Sequence, residues 1–404
     1  MSGRILAIVF ASKPEAGGRA GAFESVPPLL GKSALRLTLD SLSGLKPEKL
    51  WVVPRSEKED ALPVAELRKS RRGKNVLVLD SRRPLLSARS LRSLLQLHQK
   101  EGNILTKVMA DIHGRRVDLG VYVFRMEEFM KALTDAGGRR KKSRSLTAVV
   151  QALNSGKKKR GIFLCPRPEE TLAVQAARDA GAAMRILRDR KLRELEANGV
   201  LVLDPGSTWI DLDVRIGRGT VLYPSVVIEG KSRLGKECRV YPFVHLINTR
   251  IGDRVKVLSS TMIEESKIED DAQVGPFTHF RPKTVLRSKA KVGNFVEMKN
   301  TVFGRGSKAG HLSYLGDSVV EEDVNIGAGT ITCNYDGFKK FQTIIGRGAF
   351  IGSGTELIAP VKVGKNAYVG AGSTITEDVS PGALAVARSR QVEKPGWARK
   401  RMKK

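Results

Sequence analysis

Aliphatic residues recur at every sixth position through the second half of the chain. Ile210, Ile216, Leu222, Ile228, Leu234, Val240 and Leu246 keep this spacing without interruption. Ile268, Val274, Phe280, Leu286 and Val292 repeat it, as do Ile345, Ile351, Leu357, Val363, Val369 and Ile375. A helical face repeats at 3.6 residues and a strand face at two. A period of six belongs to a parallel β-helix with three flat faces per coil, each face turning one aliphatic side chain inward. Gly often follows that residue, as in Ile216-Gly217, Val274-Gly275, Ile326-Gly327, Ile351-Gly352 and Val369-Gly370, because a tight corner favours a residue with no Cβ. At roughly 18 residues per coil, about nine or ten coils are expected.

The first half has a different rhythm. Ile5–Phe10, Leu50–Val53, Val76–Leu79, Val121–Phe124 and Ile162–Leu164 read as short apolar strands. Ala34–Leu42, Ser87–Gln99, Glu127–Leu133 and Leu146–Leu153 carry helical spacing between them. This alternation predicts an α/β layer with a largely parallel sheet. A charged, Ala- and Leu-rich stretch, Ala182–Ala197, reads as a linking helix stopped at Asn198-Gly199. The expected organisation is an α/β domain at 1–181, a linking helix at 182–199, a β-helix at 200–387 and a basic tail at 388–404.

A length of 404 residues is consistent with this division, since single cores rarely grow so large. No apolar run approaches the ~20 residues of a membrane span, and the apolar start at Ile5–Phe10 is too short for a signal peptide. Cys165, Cys238 and Cys333 are too scattered for a disulfide framework or metal cluster, so a cytoplasmic protein is expected. The net charge of +29 could signal a nucleic-acid partner. But Arg139–Lys142 and Lys157–Arg160 lack interleaved aromatics and any nucleic-acid-binding signature, so solvated loops are the preferred reading. Excess positive charge also suits anionic small molecules.

The hexads fail around 298–325 and 332–344, where the chain turns polar. A sequence that breaks its own structural rule marks an expected functional site. The residues there, with His279-Phe280-Arg281-Pro282 and Gly293–Lys299 before them, include Ala309-Gly310-His311, Asn325–Thr330 and Cys333-Asn334-Tyr335-Asp336-Gly337. From Val200 to Lys404 the chain resembles the acetyltransferase domain of the bifunctional N-acetylglucosamine-1-phosphate uridyltransferase/glucosamine-1-phosphate N-acetyltransferase family. The resemblance implies a left-handed β-helix, a homotrimer, and acetyl transfer from acetyl-CoA to glucosamine-1-phosphate for UDP-N-acetylglucosamine, peptidoglycan and lipopolysaccharide synthesis. It implies His311 as general base, a role suited to imidazole near neutral pH. Arg281, Lys299, Tyr314, Asn325 and Asn334 are implied as sugar-phosphate contacts. Ala328, Asn334, Tyr335, Ser353, Ala371 and Arg388 are implied as acetyl-CoA contacts, with an N–H near Ala328 placed for the oxyanion. Lys340 and Lys394 offer further cations for the CoA phosphates, and Trp397 suits a tail anchored in a shared trimer site. His245 and His279 are read as structural.

The first half resembles the uridyltransferase domain of the same family, a nucleotidyltransferase-like (Rossmann-like) fold, but with departures. Where that family carries a Gly-rich phosphate loop followed by Pro-Lys, this chain reads Phe10–Arg19, with Glu24 at the lysine position. Asp80 matches the Mg²⁺-binding Asp, but the second ligand, an Asn, is replaced by Gln175. The longer side chain would displace a ligand that Mg²⁺ holds at ~2.1 Å. Two further segments look deleted, one between Asp60 and Val76 and one before Gly120. The reading is therefore an acetyltransferase with a degenerate first domain, Mg²⁺ being required only if uridyl transfer survives. The alternatives are a fully bifunctional enzyme and a non-catalytic β-helix scaffold. A zinc hydratase on the same fold is set aside, because its three metal-binding His have no counterpart spacing.

Overall fold

The computed structural model describes residues 5–11, 28–54, 62–70, 74–135, 145–155 and 157–402. The chain divides into two compact units, Met1–Leu187 and Arg188–Lys404.

The first unit runs β1 (Ile5–Ala11), α1 (Ala34–Ser43), β2 (Lys49–Pro54), α2 (Val64–Lys69), β3 (Asn75–Asp80), α3 (Ala88–Glu101), β4 (Leu105–Ile112), β5 (Arg115–Arg125), α4 (Met126–Asp135), α5 (Leu146–Ser155) and β6 (Arg160–Leu164). Its six strands lie in the order β2-β1-β3-β5-β4-β6. All neighbours are parallel except β5, which runs antiparallel to both β3 and β4. β1 and β3 are buried at every position, which is why they read as unbroken apolar runs. Ser87 caps α3 by accepting from the Ser90 N–H at 3.2 Å, and Gly102 closes it in the left-handed region at φ 65°.

Three elements differ from the sequence expectation. β4 was not anticipated, because Thr106, Lys107 and Asp111 interrupt its apolar pattern. α2 is too short to establish a helical period and buries only Leu67. The long helix α6 (Ala177–Ala197) begins upstream of the predicted Ala182. The Asp179 carboxylate accepts from the Gln175 and Ala176 N–H groups, both at 3.0 Å, and so starts the helix earlier.

The second unit is a parallel β-helix of two- and three-residue strands. One face is a nine-stranded sheet, and the other two join in a nineteen-stranded sheet. Register runs through Val240, Val257, Val274, Val292, Ala309, Ile326, Ile351 and Val369, so the aliphatic hexad positions stack directly. Every one of these is buried and belongs to one continuous core. Leu192 and Leu195, from the last turns of α6, join that core beside Val200 and Ile210 and cover the start of the coil. Arg188 lies 4.9 Å from the centroid of the Trp209 ring, a cation–π contact at the same end.

The hexad failures have a structural cause. Lys291–Lys299 and Lys308–Gly316 are nine-residue strands whose pairing continues around a corner, at Phe295 and Leu312, and they pair with each other in parallel. The second failure is a loop closed by a bridge between Tyr335 and Lys340, which lengthens the coil between Ile326 and Ile351.

Candidate active site

His311 lies on the second of the two long strands, opposite Asn294 on the first. Its ring Nδ1 is 2.7 Å from Asn294 Oδ1. An amide oxygen only accepts, so Nδ1 carries the hydrogen and Nε2 keeps its lone pair for a proton acceptor's role. His311 is exposed, and the next residue, Leu312, turns the corner at φ 47°.

Past the corner, the same strands carry a polar group. Tyr314 pairs with Glu297, and Lys299 with Gly316. Gly316 leaves essential space, since a Cβ there would sit 2.5 Å from the Tyr314 hydroxyl and 2.8 Å from Asn334 Nδ2. Asn334 is buried and donates to Asp317 Oδ2 at 2.5 Å, while Asn300 donates to Asp317 Oδ1 at 2.6 Å. Arg281 pairs with Glu297 at 3.1 Å. The neighbouring cations Lys340 and then Arg281 push the Lys299 ammonium below the usual lysine range. Three cations gathered on one surface form a place where an anion is favoured. Lys340, expected among the CoA phosphate contacts, therefore stands with Lys299 and Arg281, because the Tyr335–Lys340 bridge folds the loop back.

The implied acetyl-CoA residues follow the other direction along the coil. Gly354 N–H donates to the Ala328 carbonyl at 2.7 Å and Gly372 N–H to that of Ser353 at 2.8 Å, which puts Ala328, Ser353 and Ala371 at one corner of successive coils. That corner changes character along its length. Its left-handed positions run first through Ser225, Phe243, Ser260, Phe277, Phe295 and Leu312, and the four apolar ones are all more than half exposed. Gly329, Gly354 and Gly372 occupy it afterwards, leaving bare backbone. Arg388 lies beside Gly372, 3.8 Å from where a Cβ would stand. Asn325 is half-buried in the nineteen-stranded sheet, between Lys308 and Phe350. Tyr335 is exposed, its hydroxyl donating to the Gly337 carbonyl at 2.5 Å. From Arg388 to Trp397 every residue is exposed, including Lys394, and Trp397 begins a short helix under Arg401.

The bacterial transferase hexapeptide family (six repeats) matches residues 342–377. Bifunctional protein GlmU of Thermotoga maritima is 39% identical over 363 residues, spanning 82% of this chain and 80% of that protein. GlmU of Pelobacter propionicus is 37% identical over 361 residues, spanning 81% and 78%. The chain belongs to the bifunctional GlmU family. The similarity is denser toward GlmU of Fervidobacterium nodosum, 48% identical over 216 residues, which cover 54% of this chain and 48% of that protein. This GlmU-family chain is accordingly an acyltransferase with hexapeptide repeats and a nucleotidyltransferase-like first unit.

In the first unit, Asp80 ends β3 at the wall of a cavity of about 280 Å³ that Gln175 also lines. The Asp80 carboxylate is bonded by the Arg82 guanidinium. Arg19 and Glu24 lie outside the described residues, as does Asp60. His245 bonds Glu229 at 2.6 Å, and His279 stands 3.8 Å from Glu264. No helix among the described residues is long and apolar enough to cross a membrane.

Sequence reasoning assigned no role to Asn294, Asp317, Asn300 or Glu297. The signal for Asn294 was available, since it precedes His311 by 17 residues, one coil of this helix.

Proposed function

We propose that the second unit transfers the acetyl group of acetyl-CoA to the amine of glucosamine-1-phosphate, giving N-acetylglucosamine-1-phosphate and CoA. The observation that carries this reading is the His311–Asn294 pair, which leaves Nε2 as the free base at the edge of the cationic surface. The sugar phosphate binds Arg281, Lys299 and Lys340, with Tyr314, Asn325 and Asn334 orienting the ring. Nε2 takes a proton from the attacking amine as nitrogen bonds to the thioester carbon, and a backbone N–H near Ala328 receives the oxyanion. The tetrahedral adduct then collapses, the C–S bond breaks, and the His311 imidazolium returns its proton to the departing sulfur, releasing CoA as the thiol. The bare corner at Gly329, Gly354 and Gly372 takes the pantetheine arm, flanked by Ala328, Ser353 and Ala371, with Tyr335 and Arg388 at its sides.

The working assembly is a homotrimer in the cytoplasm. The exposed apolar residues Phe243, Phe277, Phe295 and Leu312 support self-association, and so does a tail exposed from Arg388 through Trp397. His311→Ala is expected to lower thiol release from acetyl-CoA, with glucosamine-1-phosphate as acceptor, by ~10²-fold or more while the fold persists. Near-wild-type release would refute the assignment. A second reading, that the chain also forms UDP-N-acetylglucosamine from UTP with Mg²⁺, is favoured by the relatives' bifunctional name and by the cavity beside Asp80. Pyrophosphate release decides between the two.

A further inference from the structure

The cavity of the first unit is lined by Asp80, Arg82, Arg83, Asp118 and Gln175 among others, and its charges are already matched within the protein. Asp80 is buried and would be the obvious ligand for a divalent cation. Both of its oxygens are taken. Arg82 Nε lies 3.2 Å from Oδ1 and 3.0 Å from Oδ2, Arg82 Nη2 lies 2.7 Å from Oδ2, and the Arg82 backbone N–H donates to Oδ1 at 2.9 Å. A forked guanidinium on a carboxylate is among the stronger and more directional ion pairs available to a protein.

This clamp is held in place by its surroundings. The Arg82 carbonyl accepts from the Val174 N–H at 2.7 Å, and the Ser81 N–H donates to the Phe10 carbonyl at 2.9 Å. Arg83 extends the other way, donating through Nε to the Leu119 carbonyl at 2.6 Å and through Nη1 to that of Thr171. Burial pulls the Arg83 guanidinium below its usual range, a cost that the nearby Asp80 offsets in part. The backbone on either side of Arg82 is therefore fixed, and the turn carries the guanidinium back onto Asp80.

The other candidate ligands are engaged as well. Asp118 Oδ1 accepts from the Gly120 N–H at 2.9 Å, and Oδ2 stands 3.7 Å from Lys107. Gln175 could supply only a neutral amide oxygen. Among the described residues, no group of three or more His, Cys, Asp or Glu is arranged to hold a metal ion. Mg²⁺ asks for near-octahedral oxygen ligands and sheds its water reluctantly, so it competes poorly with a covalently tethered cation already seated on its carboxylate. The residues present do not fit the metal.

We propose that Arg82 is the resident counter-cation of Asp80, standing where a divalent metal would otherwise bind, so that the first unit's cavity is metal-independent. The test uses the full chain and Mn²⁺, whose free aquo ion is counted by electron paramagnetic resonance. The wild-type protein is expected to leave the Mn²⁺ signal undiminished and to melt at the same temperature with or without millimolar Mg²⁺. Arg82→Ala should lower the melting temperature of the first unit by several degrees, and adding Asp80→Asn to it should recover part of that loss, because the stranded carboxylate is removed. One Mn²⁺ bound per wild-type chain and lost in Asp80→Asn would overturn the proposal. So would an Arg82→Ala protein that melts as the wild type does. Should Arg82→Ala not fold, the wild-type and Asp80→Asn Mn²⁺ counts decide alone. Acetyl transfer by the second unit, measured in each preparation, separates a failure here from a failure of the acetyltransferase reading.

Discussion

The two units treat their charges in opposite ways. In the second, Lys299, Lys340 and Arg281 crowd one another enough to depress the Lys299 ammonium, an arrangement that costs energy until an anion arrives. In the first, Asp80 and Arg82 satisfy each other, and Arg83 is satisfied by backbone carbonyls. Like charges crowded around an open polar surface, even with Arg281 paired to Glu297, are what a binding site keeps in reserve. Charge closed on itself is what a structural element shows.

The comparison can be broken most sharply at His311's partner. Asn294→Ala removes the acceptor that fixes Nδ1–H, freeing the ring to rotate and to change tautomer. The expected result is a fall in kcat of roughly 10–100-fold with a smaller change in KM, as for loss of a supporting contact to a functional His. Asn294→Asp should restore part of the rate and shift the rising limb of the pH–rate profile upward, since a carboxylate favours imidazolium. A variant with unaltered kcat and pH profile would show that Asn294 does not orient the base.

A smaller effect is expected from the cationic group. Lys340→Ala should raise the KM for the sugar phosphate by about 10-fold, the scale of one charge-assisted contact, and leave the KM for acetyl-CoA nearly unchanged. The opposite pattern would return Lys340 to the CoA phosphates, where sequence reasoning had placed it.

Acid stability separates the units as well. Burial pushes the His98 imidazole down to about 4. Its ring Nδ1 is 2.9 Å from Thr106 Oγ1 inside the first unit. In the unfolded chain it titrates near 6.5. The unfolded state thus takes up the proton first, and stability is lost as pH falls from about 6.5 toward 4. Thermal melts across that interval should show the first unit weakening, and His98→Gln should flatten the trend. A slope unchanged by the substitution would assign the acid sensitivity elsewhere.

The β-helix was legible because its period is unlike that of any other fold element and every repeat reports the same inward position. The first unit's β1 and β3 were legible for the opposite reason, being buried throughout. β4 escaped because Thr106, Lys107 and Asp111 break its apolar run, Lys107 facing Asp118 on β5. The site residues on the long strands stood out where the hexads failed. Their partners did not, because Asn294 and Asp317 act across a coil, and the match is visible only once register is known. The Asp80–Arg82 clamp was hidden differently: the residues are neighbours, and only the turn after β3 shows the guanidinium folding back.

One preparation assayed for both half-reactions tests the contrast most directly. Thiol release from acetyl-CoA with glucosamine-1-phosphate should be saturable and robust. Pyrophosphate release from UTP and N-acetylglucosamine-1-phosphate should remain at the enzyme-free level with Mg²⁺ present. Mg²⁺-dependent pyrophosphate release at ordinary enzyme concentrations would contradict the account and show the first unit to be a working nucleotidyltransferase.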